Sequence, residues 1–90
     1  MNKTQLIEQI AQDAGITKVD ASRALSSFIK LTSQSLKNGE KVVIPGFGTF
    51  HCVNKQGRVG RNPRTGEQIT IEPRRVAKFK PGTELNNLID

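Results

Sequence analysis

Apolar residues recur every three or four positions up to residue 36, then at every second position in short runs, so the chain changes period from helix to strand. Leu6, Ile7, Ile10, Ala11 and Ala14 hold helical spacing behind Asn2 and Gln5, an N-cap with its capping-box partner, and Gly15 stands where a C′ residue would end the helix. Thr17 with Asp20 marks a second start, where an acid also favours the helix N-terminus. Ala21, Ala24, Leu25, Phe28, Ile29, Thr32 and Leu36 then line one side of a long helix that stops at Asn38-Gly39. Small residues at Ala21, Ser22 and Ala24 would let another helix approach closely.

Beyond Gly39 the pattern predicts strands. Lys41–Ile44 is a short one closed by Pro45-Gly46, and Gly48–Lys55 is a second, with Phe50 and Cys52 on one face and His51 and Val53 on the other. Glu67–Glu72 alternates with Ile69 and Ile71 on one side, and Val76–Lys80 reads as a further strand. Pro81-Gly82 breaks the run before a closing helix, Thr83–Ile89, with Leu85, Leu88 and Ile89 expected inward. One stretch stays out of any core: RVGRNPRTG, Arg58–Gly66, in which Val59 is the only apolar side chain besides Pro63. Its Asn62–Gly66 segment has turn chemistry, proline for i+1 and glycine for a positive φ, so a basic hairpin is expected with this turn at its tip. A two-stranded ribbon is barely stable alone in water, and its ordering makes sense if a ligand offsets the entropy.

Charge sharpens that picture. Between Lys55 and Lys80 eight basic residues stand against Glu67 and Glu72, which leaves +6, the net charge of the whole chain. The other six basic and six acidic residues cancel. A positive field concentrated in one segment attracts a polyanion, nucleic acid above all. A membrane binder would place such residues on an amphipathic helix, not on a hairpin with Gly and Pro.

With 90 residues, four Phe, and no Trp or Tyr, the core is small. Chains of this size bury only about 60–70% of their unfolded surface, so dimerisation is expected in place of a disulfide or metal. The single Cys52 fits a reducing compartment. No apolar run approaches the roughly 18 residues of a membrane span, and no signal-peptide pattern opens the chain, so a soluble intracellular protein is expected.

No enzyme is expected. His51 and Cys52 are neighbours on a strand and point to opposite faces, which excludes a nucleophile–base pair, and one His with one Cys is too few for a metal site. No cofactor or small-molecule substrate is implied.

The stretches MNKTQLI at the start, GFGTF at 46–50, GRNPRTGEQITI at 60–71 and FKPGTEL at 79–85 resemble bacterial histone-like proteins of the HU and integration-host-factor family, over the whole chain. The resemblance implies an α+β fold: an intertwined homodimer with an N-terminal two-helix body, a short antiparallel sheet, a protruding β-ribbon arm and a short C-terminal helix. It implies a single domain over 1–90, with the body at 1–39, sheet and arm at 40–80, the arm at about 53–76, and the last helix at 82–90. The partner it implies is double-stranded DNA, by preference bent, nicked or gapped, and the location it implies is the bacterial cytoplasm and nucleoid. The family enters minor grooves with apolar wedges. By position, Pro63 matches the intercalating wedge, and Lys55, Arg58 and Arg61 match basic arm positions along the groove. Arg64, Arg74, Arg75, Lys78 and Lys80 would serve phosphates, and Lys3 and Lys18 would hold flanking DNA. Asn62, Gly46 and Gly48 fall in the same DNA-binding set, although turn and backbone geometry account for the glycines more simply. Phe28, Phe47, Phe50 and Phe79 would form the dimer core. Arg74 and Arg75 are adjacent, so in a strand only one need touch DNA.

Several positions depart from the family's habit. Thr83, Asn86 and Val53 stand where relatives often carry basic residues, Gly57 should loosen the arm, and Glu67 and Glu72 lie near its tip and root. A shorter footprint or weaker binding is expected. The expected role is architectural, largely sequence-independent bending and compaction of DNA. The alternatives are a site-specific subunit of the host-factor type and, less favoured, a basic RNA-binding protein.

Overall fold

A computed structural model describes every residue except Gln56 and Glu72, and the side chains of Arg58 and Ile71 also lie outside the described set. Glu72, the acid expected near the arm's root, therefore cannot be placed. The chain divides into two compact units, Met1–Ser35 and Leu36–Asp90.

The first unit opens with α1, Lys3–Ala14. Its capping box is formed as the sequence predicts: the Gln5 N–H donates to Asn2 Oδ1 at 2.9 Å and the Asn2 N–H to Gln5 Oε1 at 3.1 Å. Gly15 then turns left-handed at φ 68°. In α2, Lys18–Lys37, the Asp20 N–H donates to Thr17 Oγ1 at 3.1 Å. Ala11 and Ala21 are the buried apolar side chains among the described residues.

The second unit holds the strands β1 (Val42–Ile44), β2 (Gly48–Lys55), β3 (Arg58–Arg61), β4 (Gln68–Ile71) and β5 (Arg74–Pro81), then α3 (Thr83–Ile89). They form an antiparallel sheet ordered β1-β2-β5 and a separate ribbon, β3-β4. β1 and β2 are joined by a tight turn in which the Phe47 N–H donates to Ile44 O at 3.0 Å. Pro45 supplies its fixed φ, and Gly46 sits at φ 83°, as a type II turn requires. Lys55 pairs with Arg74 and Arg58 with Ile71, so two residues of each strand separate sheet from ribbon and the hairpin loses no count across the gap.

One expectation needs correcting, and another is only partly met within a single chain. The last strand begins at Arg74 and ends at Pro81, longer than the Val76–Lys80 read from alternation, because pairing with Lys55 and Asn54 on one end and Gly48 on the other sets its limits. In the closing helix Leu85 is half-buried, but Leu88 and Ile89 are 83% and 76% exposed. A single chain of this size has too little core to cover them. Phe47 and Phe79 are likewise partly open, although Phe79 packs against Phe47 and Phe50 at ring-centroid distances of 5.1 and 4.8 Å. Among the described residues, no helix is long and apolar enough to cross a membrane.

Candidate nucleic-acid interface

Strand register sorts the candidate residues onto two faces. Directly opposed residues in an antiparallel pair share a face. Lys55 opposes Arg74, Val53 opposes Val76, His51 opposes Lys78 and Thr49 opposes Lys80, which makes one face of the sheet basic. The other carries Phe50 opposite Phe79, Cys52 opposite Ala77 and Asn54 opposite Arg75.

The two adjacent arginines thus part company. Arg74 joins the basic face, beside a shallow hollow that Asn54, Lys55, Pro73 and Arg75 also line. The guanidinium of Arg75 donates through Nη2 to Lys37 O at 2.7 Å. Next to it, the Cys52 thiol donates to Leu36 O at 3.3 Å, and the Gly39 N–H donates to the same carbonyl at 3.0 Å. The last carbonyls of a helix lack partners within it, so these donors finish α2. Neither side-chain cap was foreseen from the sequence.

Gly48 is buried on the apolar face, and a Cβ there would lie 2.6 Å from both Lys80 O and Phe79 Cζ. Gly46 is fixed by its positive φ. Backbone geometry accounts for both glycines.

In the ribbon, Arg61 pairs with Gln68 and Val59 with Thr70. The tip is closed by the Asn62 N–H donating to Glu67 O and the Gly66 N–H donating to Asn62 O, both at 2.8 Å. Asn62 Oδ1 accepts the Arg64 N–H at 2.9 Å, and Gly66 takes φ 73°. Asn62 is therefore spent largely on the turn, and Pro63 and Arg64 stand exposed on it. In the first unit Lys3 is exposed and Lys18 Nζ lies 3.9 Å from Glu8 Oε1, a solvent-facing pair of little energetic weight. Among the described residues no group of three His, Cys, Asp or Glu could hold a metal ion.

A sheet with one basic and one aromatic face, continued by a ribbon with an exposed Pro-Arg tip, defines a protein that grips a polyanion. The chain belongs to the bacterial DNA-binding protein family, whose model matches residues 1–90. It is 46% identical over 90 residues to DNA-binding protein HU-beta of Salmonella typhimurium, covering all of both chains. Among solved structures it is similar to an Anabaena HU–DNA cocrystal structure, with a TM-score of 0.90 and 32% identity over 99% of this chain and 97% of that one. HU from Thermotoga maritima matches at a TM-score of 0.73 and 32% identity, with both chains covered completely.

Proposed function

We propose that this protein is a homodimeric architectural DNA-binding protein of the bacterial cytoplasm and nucleoid, one domain over residues 1–90, that bends duplex DNA with little sequence preference. The observation that carries the reading is the alignment of Lys55, Arg74, Lys78 and Lys80 on one face, continued by a ribbon whose tip exposes Pro63. The cations contact phosphates, which position the protein without reading sequence. Arg61 suits a narrow, electronegative minor groove, Arg64 serves a phosphate at the tip, and the Pro63 ring parts two stacked bases in that groove. The exposed Leu88 and Ile89, with Phe47 and Phe79, are covered by a second copy of the chain. Val53 and Val76 interrupt the basic face, in keeping with a modest footprint.

Competition at near-physiological salt between a plain duplex, the same duplex carrying a nick or gap, and a structured RNA tests the reading. Preference for the gapped duplex, resisting RNA, supports it, because broken stacking lowers the cost of deformation. Equal affinity for all three would leave a polyanion clamp and remove the bending role. Pro63→Ala should leave the dimer folded yet reduce both bending and the preference for gapped DNA, and unchanged behaviour in both assays removes the wedge.

The two arginines give a separate check. Arg74→Ala should weaken duplex binding at unchanged stability. Arg75→Ala should cost about 0.5–1.5 kcal/mol of stability, the worth of one hydrogen bond, read by denaturant unfolding. Identical phenotypes would contradict the division of labour between them.

A further inference from the structure

His51 is the chain's only histidine, and it lies in the middle of the basic face. Lys78 is its direct partner on β5. On the other side, β1 pairs Val42 with Phe50, and continuing that register by one residue brings Lys41 opposite His51. Lys41, Thr49, His51 and Lys80 together line one shallow depression, so the continuation is met in three dimensions. The imidazole is half-buried, flanked across both neighbouring strands by lysine, with the Thr49 hydroxyl two residues along on the same face. The remaining charged residues on this face are Lys55 and Arg74, and none of the described residues of β1, β2 and β5 is acidic. A concave group of cations and a hydroxyl, with no carboxylate in its strands, suits a phosphate.

We propose that His51 is a proton-linked contact for a backbone phosphate of bound DNA, seated with Lys41, Lys78 and Lys80. The proposal rests on the DNA-binding reading above and adds to it a residue and a regulation. Neutral imidazole offers one N–H donor, whereas the charged form offers two donors and a full charge. A phosphate close by favours the charged form, so binding takes up a proton. The sign follows directly. The added affinity is complete at pH below the range where the free imidazole titrates, and it is lost as pH rises through the range of the bound form. Lysine and arginine keep their charge throughout this range, so the part of the dependence that His51→Gln removes belongs to His51.

Because the histidine is unique, its ring signals in an NMR titration need no assignment by mutation. The ring should titrate at higher pH in the duplex complex than in the free dimer, and each unit of that rise is worth about tenfold in affinity. Wild-type affinity for a plain duplex, measured at constant ionic strength between about pH 5 and 8, should fall by a similar factor with rising pH. His51→Gln should bind at the high-pH wild-type level across the whole range. A ring that titrates alike in free and bound protein overturns the proposal, as does a variant that keeps the full pH dependence. In both cases duplex binding itself survives, so the DNA reading stands. Loss of duplex binding by wild type at every pH would overturn both. The same ring shift produced by inorganic phosphate but not by duplex would make this a free-anion site and overturn the DNA contact.

Discussion

Raising the salt concentration from about 50 to 200 mM should weaken duplex binding on the order of 10³-fold or more. The expectation comes from counting charges that can meet phosphates. Lys55, Arg74, Lys78 and Lys80 share one face, Arg61 and Arg64 belong to the ribbon and its tip, and a dimer presents every one of them twice. Neutralising even six phosphates releases enough condensed counterion to give a slope of about −5 in a plot of log affinity against log salt. A nearly flat response would sink the electrostatic account, whatever the role of Pro63. The slope should also shrink by about one for each phosphate-contacting cation replaced in a binding unit. Removing Lys78 should therefore flatten the response measurably.

Gly48→Ala should destabilise the fold by about 1–3 kcal/mol, the cost of forcing a carbon into a packed site. The new methyl would meet Lys80 O and Phe79 Cζ at 2.6 Å, and neither can retreat freely. Lys80 O is backbone in the paired strand β5, and the Phe79 ring packs at a tilt against both Phe47 and Phe50. Relief requires opening the pairing of Gly48 with Pro81 or shifting the aromatic cluster, and both disturb the apolar face. In so small a protein that is a large share of total stability. Gly60 provides the control: it too lies in a strand, but a Cβ there meets nothing within 4 Å. Gly60→Ala should unfold at nearly the wild-type denaturant midpoint, and equal losses at both positions would refute the steric account.

What could be read from the sequence was what short-range chemistry decides. Asn2 with Gln5 and Thr17 with Asp20 are caps whose partners sit three residues away, and both formed as read. The alternation of β2 placed His51 opposite in facing to Cys52 because side chains on a strand have no other choice. The turn at Asn62–Gly66 was equally legible. Contacts across long separations were not. The carbonyls that end α2 are met by Cys52, 16 residues from Leu36, and by Arg75, 38 residues from Lys37. Nothing local to either donor points there: alternation says that Arg74 and Arg75 face opposite sides, but not what Arg75 meets. Its place in a familiar motif puts Asn62 among the expected DNA contacts, but nothing in that motif announces that its two carbonyl oxygens also close the tip. The basic row around His51 could have been found by carrying the strand pairing across all three strands, since period two alone fixes which residues share a face.

The unbroken count of the long hairpin limits how such a protein can vary in length. Sheet and ribbon keep one register, with two residues of each strand between the last pair of one and the first pair of the other. Inserting a single residue into one strand would slip everything beyond it, setting Arg61 against a new partner. Inserting one residue in each strand would restore the pairing but turn the outer part over, so that the tip presented its opposite side. Only two added residues in each strand would lengthen the arm and leave its aim unchanged, because side chains repeat every second position. Descendants of this chain with longer or shorter arms should therefore differ from it in steps of four residues, divided equally between the two strands.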